Sequence, residues 1–223
     1  MEVRTQLPVC KLSFVTTPAN VRGFVLAGGG SRRFGRDKAL VEFDGEPLIA
    51  RLCRVLQTAT STPVRIIGDA ARYSHIGVEC IADRWPGEGP LGGIITALET
   101  SEATVATDFW SLIIGCDMPF LTSEWLRHVA ERAVASEADV VVPESKQGLE
   151  PLCACWRASA ASTLTRVFEG GVRRVTEAMK QLSMEVLDAA DWKRFDNFDR
   201  LFWNMNTPAD HQEAIRMLKA ERP

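Results

Sequence analysis

Two features are missing from this sequence of 223 residues. No apolar run approaches the roughly 18 residues that suggest a membrane-spanning helix, so we expect no membrane association. Positive charge is not in excess either. Lys and Arg number 26 against 29 Asp and Glu, which argues against nucleic acid as a partner. With 16 Gly, 11 Pro and 46% apolar residues, the composition is that of a globular chain, and one α/β domain is the default at this length.

The six cysteines include no Cys-x-x-Cys pair, and their spacing is too wide for a small disulfide-bonded scaffold. We therefore expect reduced thiols and a cytoplasmic protein. Cys153 and Cys155 would face the same side of a strand, either as a metal or redox pair or as core residues, and we favour the core. The three histidines have no partner at metal-ligand spacing and receive no catalytic role.

Residues 1–21 differ from the rest of the chain. They contain Pro8, Pro18 and several charged residues, and they lack the continuous apolar stretch of a secretory signal. We interpret them as a loose N-terminal arm that is a candidate for disorder, followed by one domain over residues 22–223.

Apolar runs and helical periodicities alternate along the chain from about residue 22 to residue 142. The runs at 22–27, 63–67, 78–82, 112–116 and 140–142 predict strands, the last of them ended by Pro143, and helical patterns separate most of them. Residues 152–156 could form a further strand. Thr122 or Ser123 is expected to cap one helix, and Thr207 another. Strands that are apolar throughout are typical of burial on both faces. The pattern predicts an α/β fold, a single domain with a Rossmann-like, mostly parallel sheet and helices on both faces.

Three of these strands end in residues with useful chemistry, namely Gly28–Gly30, Asp83 and Asp117. Ligands of open α/β sheets bind at the carboxyl ends of the strands. The sequence therefore predicts one site that draws on all three segments.

The glycines after the first strand match neither of two common nucleotide-binding patterns. The dinucleotide pattern would accept Gly28 and Gly30, but Arg33 occupies its third glycine position. The P-loop pattern would accept Gly30 and Gly35, but Arg36 follows where a lysine is needed. The loop still carries four cations, so we favour phosphate binding over a merely solvated basic loop: Arg32, Arg33, Arg36 and Lys38.

Taken together, four segments resemble the molybdenum cofactor guanylyltransferases, which are nucleotidyltransferases of a glycosyltransferase-like fold. They occur in the family's order, and the resemblance covers about residues 22–220. The segments are LAGGGSRRFGRDKAL at 26–40, GPLGGI at 89–94, GCDMPFL at 115–121 and NMNTPAD at 204–210. Phe34 is a departure, because the family more often has Met there.

The resemblance implies transfer of GMP from GTP to the terminal phosphate of molybdopterin carrying the metal, with release of pyrophosphate. It implies Mg²⁺ as cofactor, and other molybdenum cofactor biosynthesis proteins and acceptor apoenzymes as further partners. Gly28–Gly29 and Asp37–Lys38 favour guanylyl over cytidylyl transfer. A nucleotide-sugar pyrophosphorylase and a non-catalytic nucleotide sensor remain as alternatives.

The resemblance also implies roles for individual residues. Lys38 and Asp117 are the catalytic candidates: Lys38 would neutralise phosphate charge, and Asp117 would hold Mg²⁺ rather than cap a loop. Asn204 and Asn206 could contact phosphate or pterin, or could cap the following helix. The residues expected at the nucleotide are Leu26, Ala27, Gly28, Gly29, Gly30, Arg33, Lys38, Asp83, Gly89, Gly92 and Gly93.

Overall fold

The computed structural model describes residues 20–28, 34–35, 37–102 and 109–220. Its centre is an eight-stranded sheet in the order β10-β7-β9-β6-β1-β4-β5, with β8 paired to β7. The strands are β1 (Val21–Ala27), β2 (Glu42–Phe43), β3 (Glu46–Pro47), β4 (Arg65–Gly68), β5 (Glu79–Ile81), β6 (Trp110–Gly115), β7 (Val140–Ser145), β8 (Gly148–Leu149), β9 (Cys153–Arg157) and β10 (Met184–Leu187).

Helices connect most of these strands and form the outer layers. The α-helices within the described residues are α1 (Leu48–Thr60), α2 (Ala70–Tyr73), α3 (Pro90–Glu102), α4 (Ser123–Val134), α5 (Ala160–Glu169), α6 (Val175–Ala178), α7 (Ala189–Trp192) and α8 (Pro208–Ala220). A short 3₁₀ helix, Lys38–Leu40, lies between β1 and the small β2–β3 hairpin.

The sheet is mostly parallel, which confirms the predicted fold class. Strand β1 pairs in parallel with both β4 and β6, and β4 pairs in parallel with β5. Strands β8 and β9 are the exceptions. Strand β9 lies antiparallel between β6 and β7, and the short β8 pairs antiparallel with β7. The predicted strand at 152–156 is therefore confirmed, but its direction was not visible in the sequence.

Alternate residues of each central strand pack into one of two hydrophobic layers. Val25 and Ile114 lie in the layer that contains α1 and α4, whereas Phe24 and Ile113 lie in the layer that contains α3 and α5. All four side chains are fully buried. Burial on both faces requires apolar residues at consecutive positions, which explains the continuous apolar runs of the sequence.

Caps fix the beginnings of two helices where the sequence predicted them. The Thr122 hydroxyl accepts a hydrogen bond from the Trp125 amide at the start of α4. At the start of α8, the Thr207 hydroxyl accepts from the Asp210 amide, and the Asp210 carboxylate accepts from the Thr207 amide. Such reciprocal bonds satisfy amides that the helix itself leaves unpaired.

Two elements depart from the sequence-based expectation. Strand β7 does not end at Pro143 but continues through it to Ser145. Proline has no amide hydrogen to donate, but its carbonyl still accepts from the Glu150 amide at 2.8 Å, so the strand persists on that side. Strand β10 was not predicted, because only its last residue, Leu187, is buried.

The predicted N-terminal arm lies outside the described residues, except for Asn20 and Val21, and Val21 begins β1. Within the described residues, no helix is both long enough and apolar enough to cross a membrane.

Cys153 and Cys155 are core residues, as expected. Both are fully buried, and both lie in the layer that contains α4. Burial raises the pKa of Cys153 to about 12 and raises that of Cys155 as well. All five described cysteines carry free thiols.

We expect thiol reagents to separate these cysteines by burial. Because the thiolate is the reactive form, Cys153 and Cys155 should react far more slowly in the folded protein than the half-buried Cys80. Alkylation with iodoacetamide followed by peptide mass spectrometry measures each rate. Unfolding in guanidinium should make all sites react alike, and equal rates in the folded protein would contradict the assigned packing.

Candidate active site

The carboxyl ends of the central parallel strands lie together at one edge of the sheet. In the pairing register, Ala27 at the end of β1 lies beside Gly68 at the end of β4. On the other side, Leu26 pairs with Gly115, the last residue of β6. Gly28 and Asp117 therefore leave neighbouring strands at the same level, as expected from the sequence.

Lys38, Asp117 and Asn206 meet at this edge. The Lys38 Nζ lies 3.3 Å from Asp117 Oδ2 and 3.3 Å from Asn206 Oδ1. About a fifth of each charged side chain is exposed, 23% for Lys38 and 22% for Asp117. The ammonium group is thus held in place at an opening that solvent, or a charged ligand, can reach.

Lys38 is positioned by its neighbour Asp37, whose side chain makes three contacts. Asp37 Oδ1 accepts a hydrogen bond from the Ala39 amide at 3.0 Å, which caps the 3₁₀ helix that begins at Lys38. Asp37 Oδ2 accepts from the Tyr73 hydroxyl at 2.9 Å and from Arg72 at 3.1 Å. The sequence indicated Asp37 only as part of a motif, and it gave no signal that Arg72 and Tyr73 hold it.

Asp117 is positioned by the end of β6 and by the segment before α8. Its carbonyl accepts a hydrogen bond from the Met205 amide at 2.7 Å. Its Oδ1 lies above Gly115, where an added Cβ would approach it to 2.7 Å, so only glycine leaves room for the carboxylate. These contacts aim the side chain at the edge of the sheet.

Asp117 Oδ1 is buried and has no hydrogen-bond partner among the described residues. An unpaired buried carboxylate oxygen is costly, and a hard cation such as Mg²⁺ would satisfy it. The described residues contain no group of three or more His, Cys, Asp or Glu side chains placed to hold a metal. A cation at Asp117 would therefore take most of its ligands from water and from a bound phosphate, as Mg²⁺ usually does.

The two asparagines have different surroundings. Asn206 contacts Lys38 through its side chain, while its amide donates to Asp210 at 2.9 Å. The Asn204 side chain instead donates to the Phe202 carbonyl at 3.4 Å. The structure thus brings Asn206, but not the Asn204 side chain, to the Lys38–Asp117 pair, and Asn206 also belongs to the cap of α8.

Asp83 holds the turn that leads from β5 into α3. Its Oδ1 accepts from the Trp85 amide at 2.9 Å and lies 3.4 Å from the Thr96 hydroxyl. A Cβ on Gly92 would lie 3.1 Å from Trp85 Cβ, and one on Gly93 would lie 3.4 Å from Leu26. The small residues therefore allow close packing of α3, and Asp83 has a clear structural role.

Only part of the glycine-rich loop lies within the described residues. Leu26 and Ala27 are buried at the end of β1, and Gly28 is exposed. Gly89 is also exposed, with a φ of 96° that favours glycine. The predicted contacts at Gly29, Gly30 and Arg33 lie outside the described residues.

Phe34 lies at the far end of that loop. It is buried, and its ring centroid lies 6.3 Å from that of His211 on α8. The departure from Met therefore keeps a bulky apolar side chain in a packed position.

Glu150 is a buried carboxylate that the sequence analysis missed. Only 9% of it is exposed, and its Oε1 accepts a hydrogen bond from the Ser145 hydroxyl at 2.6 Å. Burial and, to a lesser extent, the Asp117 carboxylate raise the pKa of Glu150. No local pattern marked this residue, because its relation to Asp117 depends on the antiparallel placement of β9.

Comparisons with known proteins agree with this geometry. The relative from Chloroflexus aggregans, named a probable molybdenum cofactor guanylyltransferase, is 33% identical over 192 residues, covering 84% of this chain and 90% of the relative. A protein of the same name from Opitutus terrae is 35% identical, covering 80% of this chain and 93% of that protein.

A solved structure shows the same fold. It is that of molybdopterin-guanine dinucleotide biosynthesis protein A from Archaeoglobus fulgidus, which is 26% identical to this chain with a TM-score of 0.75. The likeness covers 89% of this chain and 99% of that one. Residues 23–183 also match the family described as "MobA-like NTP transferase domain". The edge of the sheet that holds Lys38 and Asp117 lies mostly within that match, and the chain belongs to the family of MobA-like NTP transferase domains.

Proposed function

We propose that this protein transfers GMP from GTP to the terminal phosphate of molybdopterin that carries molybdenum. The products are the guanine dinucleotide form of the cofactor and pyrophosphate. The names of the relatives support this reaction. The proposal rests mainly on one observation. Lys38, Asp117 and Asn206 lie in contact at the carboxyl edge of the sheet, where one Asp117 oxygen is buried and has no hydrogen-bond partner among the described residues.

In this reaction, an oxygen of the acceptor phosphate forms a bond to the α-phosphorus of GTP. The bond from the α-phosphorus to the oxygen bridging to the β-phosphate breaks, and its electron pair leaves with pyrophosphate. The acceptor phosphate is already anionic near neutral pH, so no strong general base is required. The task of the protein is to position two anions and to stabilise the charge that moves onto the leaving group.

Lys38 supplies part of that stabilisation. Its ammonium is fixed by Asp117, by Asn206 and, through the backbone, by the Asp37 cap. A cation held in place before the substrate arrives needs little reorganisation when charge develops. Asp117 would hold Mg²⁺, and Asn206 would support the same phosphates. Mg²⁺, when bound, would withdraw negative charge from the phosphate oxygens.

The nucleotide would lie over the ends of β1, β4 and β5. Gly28, Gly29, Gly30 and Arg33 would surround its phosphates. Helix α3 begins at Pro90, so Gly89 directly precedes it and Gly92 and Gly93 lie in its first turn. The N-terminus of a helix attracts negative charge. Leu26, Ala27 and Asp83 would complete this half of the site, and Asp83 would act chiefly by holding the turn before α3.

The acceptor would lie on the opposite side, over β7 and β10. A cavity of about 340 Å³ opens there, and it includes Lys146, Trp192 and Lys193. Two lysines suit a phosphorylated acceptor, and Asn204 would contribute from the segment before α8. We place the enzyme in the cytoplasm, where GTP is made available and thiols stay reduced.

Nucleotide selectivity is the first expectation. GTP with Mg²⁺ should raise the melting temperature more than CTP, ATP or UTP at equal concentration, because the tightest ligand stabilises the folded state most. Differential scanning fluorimetry measures the shifts. Equal shifts for all four nucleotides would remove the guanine assignment and leave only phosphate binding.

Lys38→Ala should reduce the rate of pyrophosphate release from GTP and molybdopterin by about 10²-fold or more, the scale for losing one stabilising group. The folded state should be retained, since the side chain is half-buried and lies at an edge. Lys180→Ala is the matched control, because Lys180 is an exposed lysine paired only locally with Glu177. Wild-type turnover in Lys38→Ala would rule out its catalytic role.

Asp117→Asn should lower turnover to a similar degree, because Mg²⁺ strongly prefers a charged oxygen. The free enzyme should keep its stability, since the substitution preserves size and leaves the backbone bond from Met205 intact. Pyrophosphate release and thermal melting should be measured on the same sample. A variant that unfolds, while its soluble fraction turns over normally, would show that Asp117 is only a structural residue.

A further inference from the structure

Glu150 has no role in the reaction described so far, although it is one of the few buried charged side chains among the described residues. Burying a carboxylate is unfavourable unless a partner compensates for it. Ser145 provides one hydrogen bond, but a neutral hydroxyl does not offset the negative charge. The position therefore requires a further explanation.

The backbone fixes Glu150 firmly. Its amide donates to the Pro143 carbonyl at 2.8 Å, and its own carbonyl accepts from the Cys153 amide at 3.0 Å. The Ser145 hydroxyl then holds the side chain from the end of β7. The carboxylate is thus a fixed group and not a surface side chain that happens to fold inward.

The same segment packs over the end of β6. The Gly115 amide donates to the Leu152 carbonyl at 2.9 Å, and an added Cβ on Gly115 would contact both Leu152 and Asp117 Oδ1. Leu152 therefore lies beside Asp117 Oδ1, and the antiparallel register, which pairs Ile114 with Cys153, brings Glu150 to the level of Asp117. The Asp117 carboxylate also acts on Glu150 electrostatically.

Two carboxylates at the same level of neighbouring segments in a partly buried place repel unless a positive charge compensates for them. Lys38 contacts Asp117 through Oδ2, on the other side from the unpaired Oδ1. The need for charge lies on the side of Glu150.

We propose that Glu150 supplies the second negative charge of the divalent-cation site that Asp117 begins, and that Ser145 positions it there. This inference rests on the proposed function, which places a cation at Asp117. It goes further by assigning the acceptor-side boundary of that site to the turn before β9. Glu150 would draw the cation toward the side from which the acceptor phosphate arrives.

The test measures Mn²⁺ binding and not turnover. The full-length protein is titrated with Mn²⁺, alone and with a GTP analogue carrying a methylene group between its α- and β-phosphates, and free Mn²⁺ is followed by electron paramagnetic resonance. Glu150→Gln should weaken Mn²⁺ binding by about 10- to 100-fold, the range for residues that support a metal site. Glu137→Gln is the matched control, an exposed glutamate that precedes β7 at the opposite end of that strand, and it should bind as the wild type does.

Thermal melting without metal separates this role from a structural one. Removing one of two repelling carboxylates should leave the melting temperature of Glu150→Gln unchanged or higher. A purely structural Glu150 would give a lower melting temperature with unchanged Mn²⁺ affinity, and that result would overturn the proposal. Unchanged Mn²⁺ affinity at an unchanged melting temperature would overturn it as well.

If Glu150→Gln is both unstable and poor at binding Mn²⁺, Glu150→Asp distinguishes a role in metal binding from a structural role. It retains the charge, so it should recover part of the Mn²⁺ affinity, whereas equal losses in both variants would count against the proposal.

Asp117→Asn tests the proposed function separately. If it loses Mn²⁺ while Glu150→Gln does not, only the role of Glu150 fails. If Asp117→Asn binds normally, the assigned metal site itself fails.

Discussion

The contact between Lys38 and Asp117 joins the two halves of the site, and the rest of the arrangement depends on it. Each of the two side chains is about one-fifth exposed, and an ion pair that accessible to solvent contributes about 1 kcal/mol or less to stability. Its importance is geometric. Lys38 comes from the 3₁₀ helix that follows β1 and Asp117 from the segment after β6, so the contact ties together the segments that follow two paired parallel strands. The Met205–Asp117 backbone bond then adds the segment before α8.

The sequence predicted those parts of the molecule that depend on local pattern. Apolar runs marked the strands, since residues buried on both faces must be apolar at every position. The cap residues Thr122 and Thr207 marked the starts of α4 and α8 because their chemistry acts within one helical turn. Asp117 could be placed at an edge because it directly follows such a strand.

The parts that escaped prediction depend on long-range contacts. The sequence indicated Asp37 only as part of a motif. In the structure, its carboxylate accepts a hydrogen bond from the Tyr73 hydroxyl, 36 residues away. Glu150 lies 33 positions beyond Asp117 and comes to the same level because β9 runs antiparallel to β6, a direction that no residue pattern in the segment specifies. Pro143 indicated a strand end, yet β7 continues through it, because it pairs with β10 at Leu187 and with β8 beyond it. Local sequence patterns indicate which secondary structure a segment favours, and tertiary contacts decide which one it adopts.

The long sequence separation of the site residues has a consequence for the order in which the protein assembles. Lys38 and Asp117 are 79 positions apart in the sequence, and Lys38 and Asn206 are 168 positions apart. Contacts this distant in sequence close long loops, and an abundance of such contacts slows folding. During synthesis, the segment at Met205 leaves the ribosome after nearly all of the sheet has been made. The site is therefore completed only when the segment that also adds the buried Leu201 and Met205 to the core joins the sheet, so activity should be the last property to emerge.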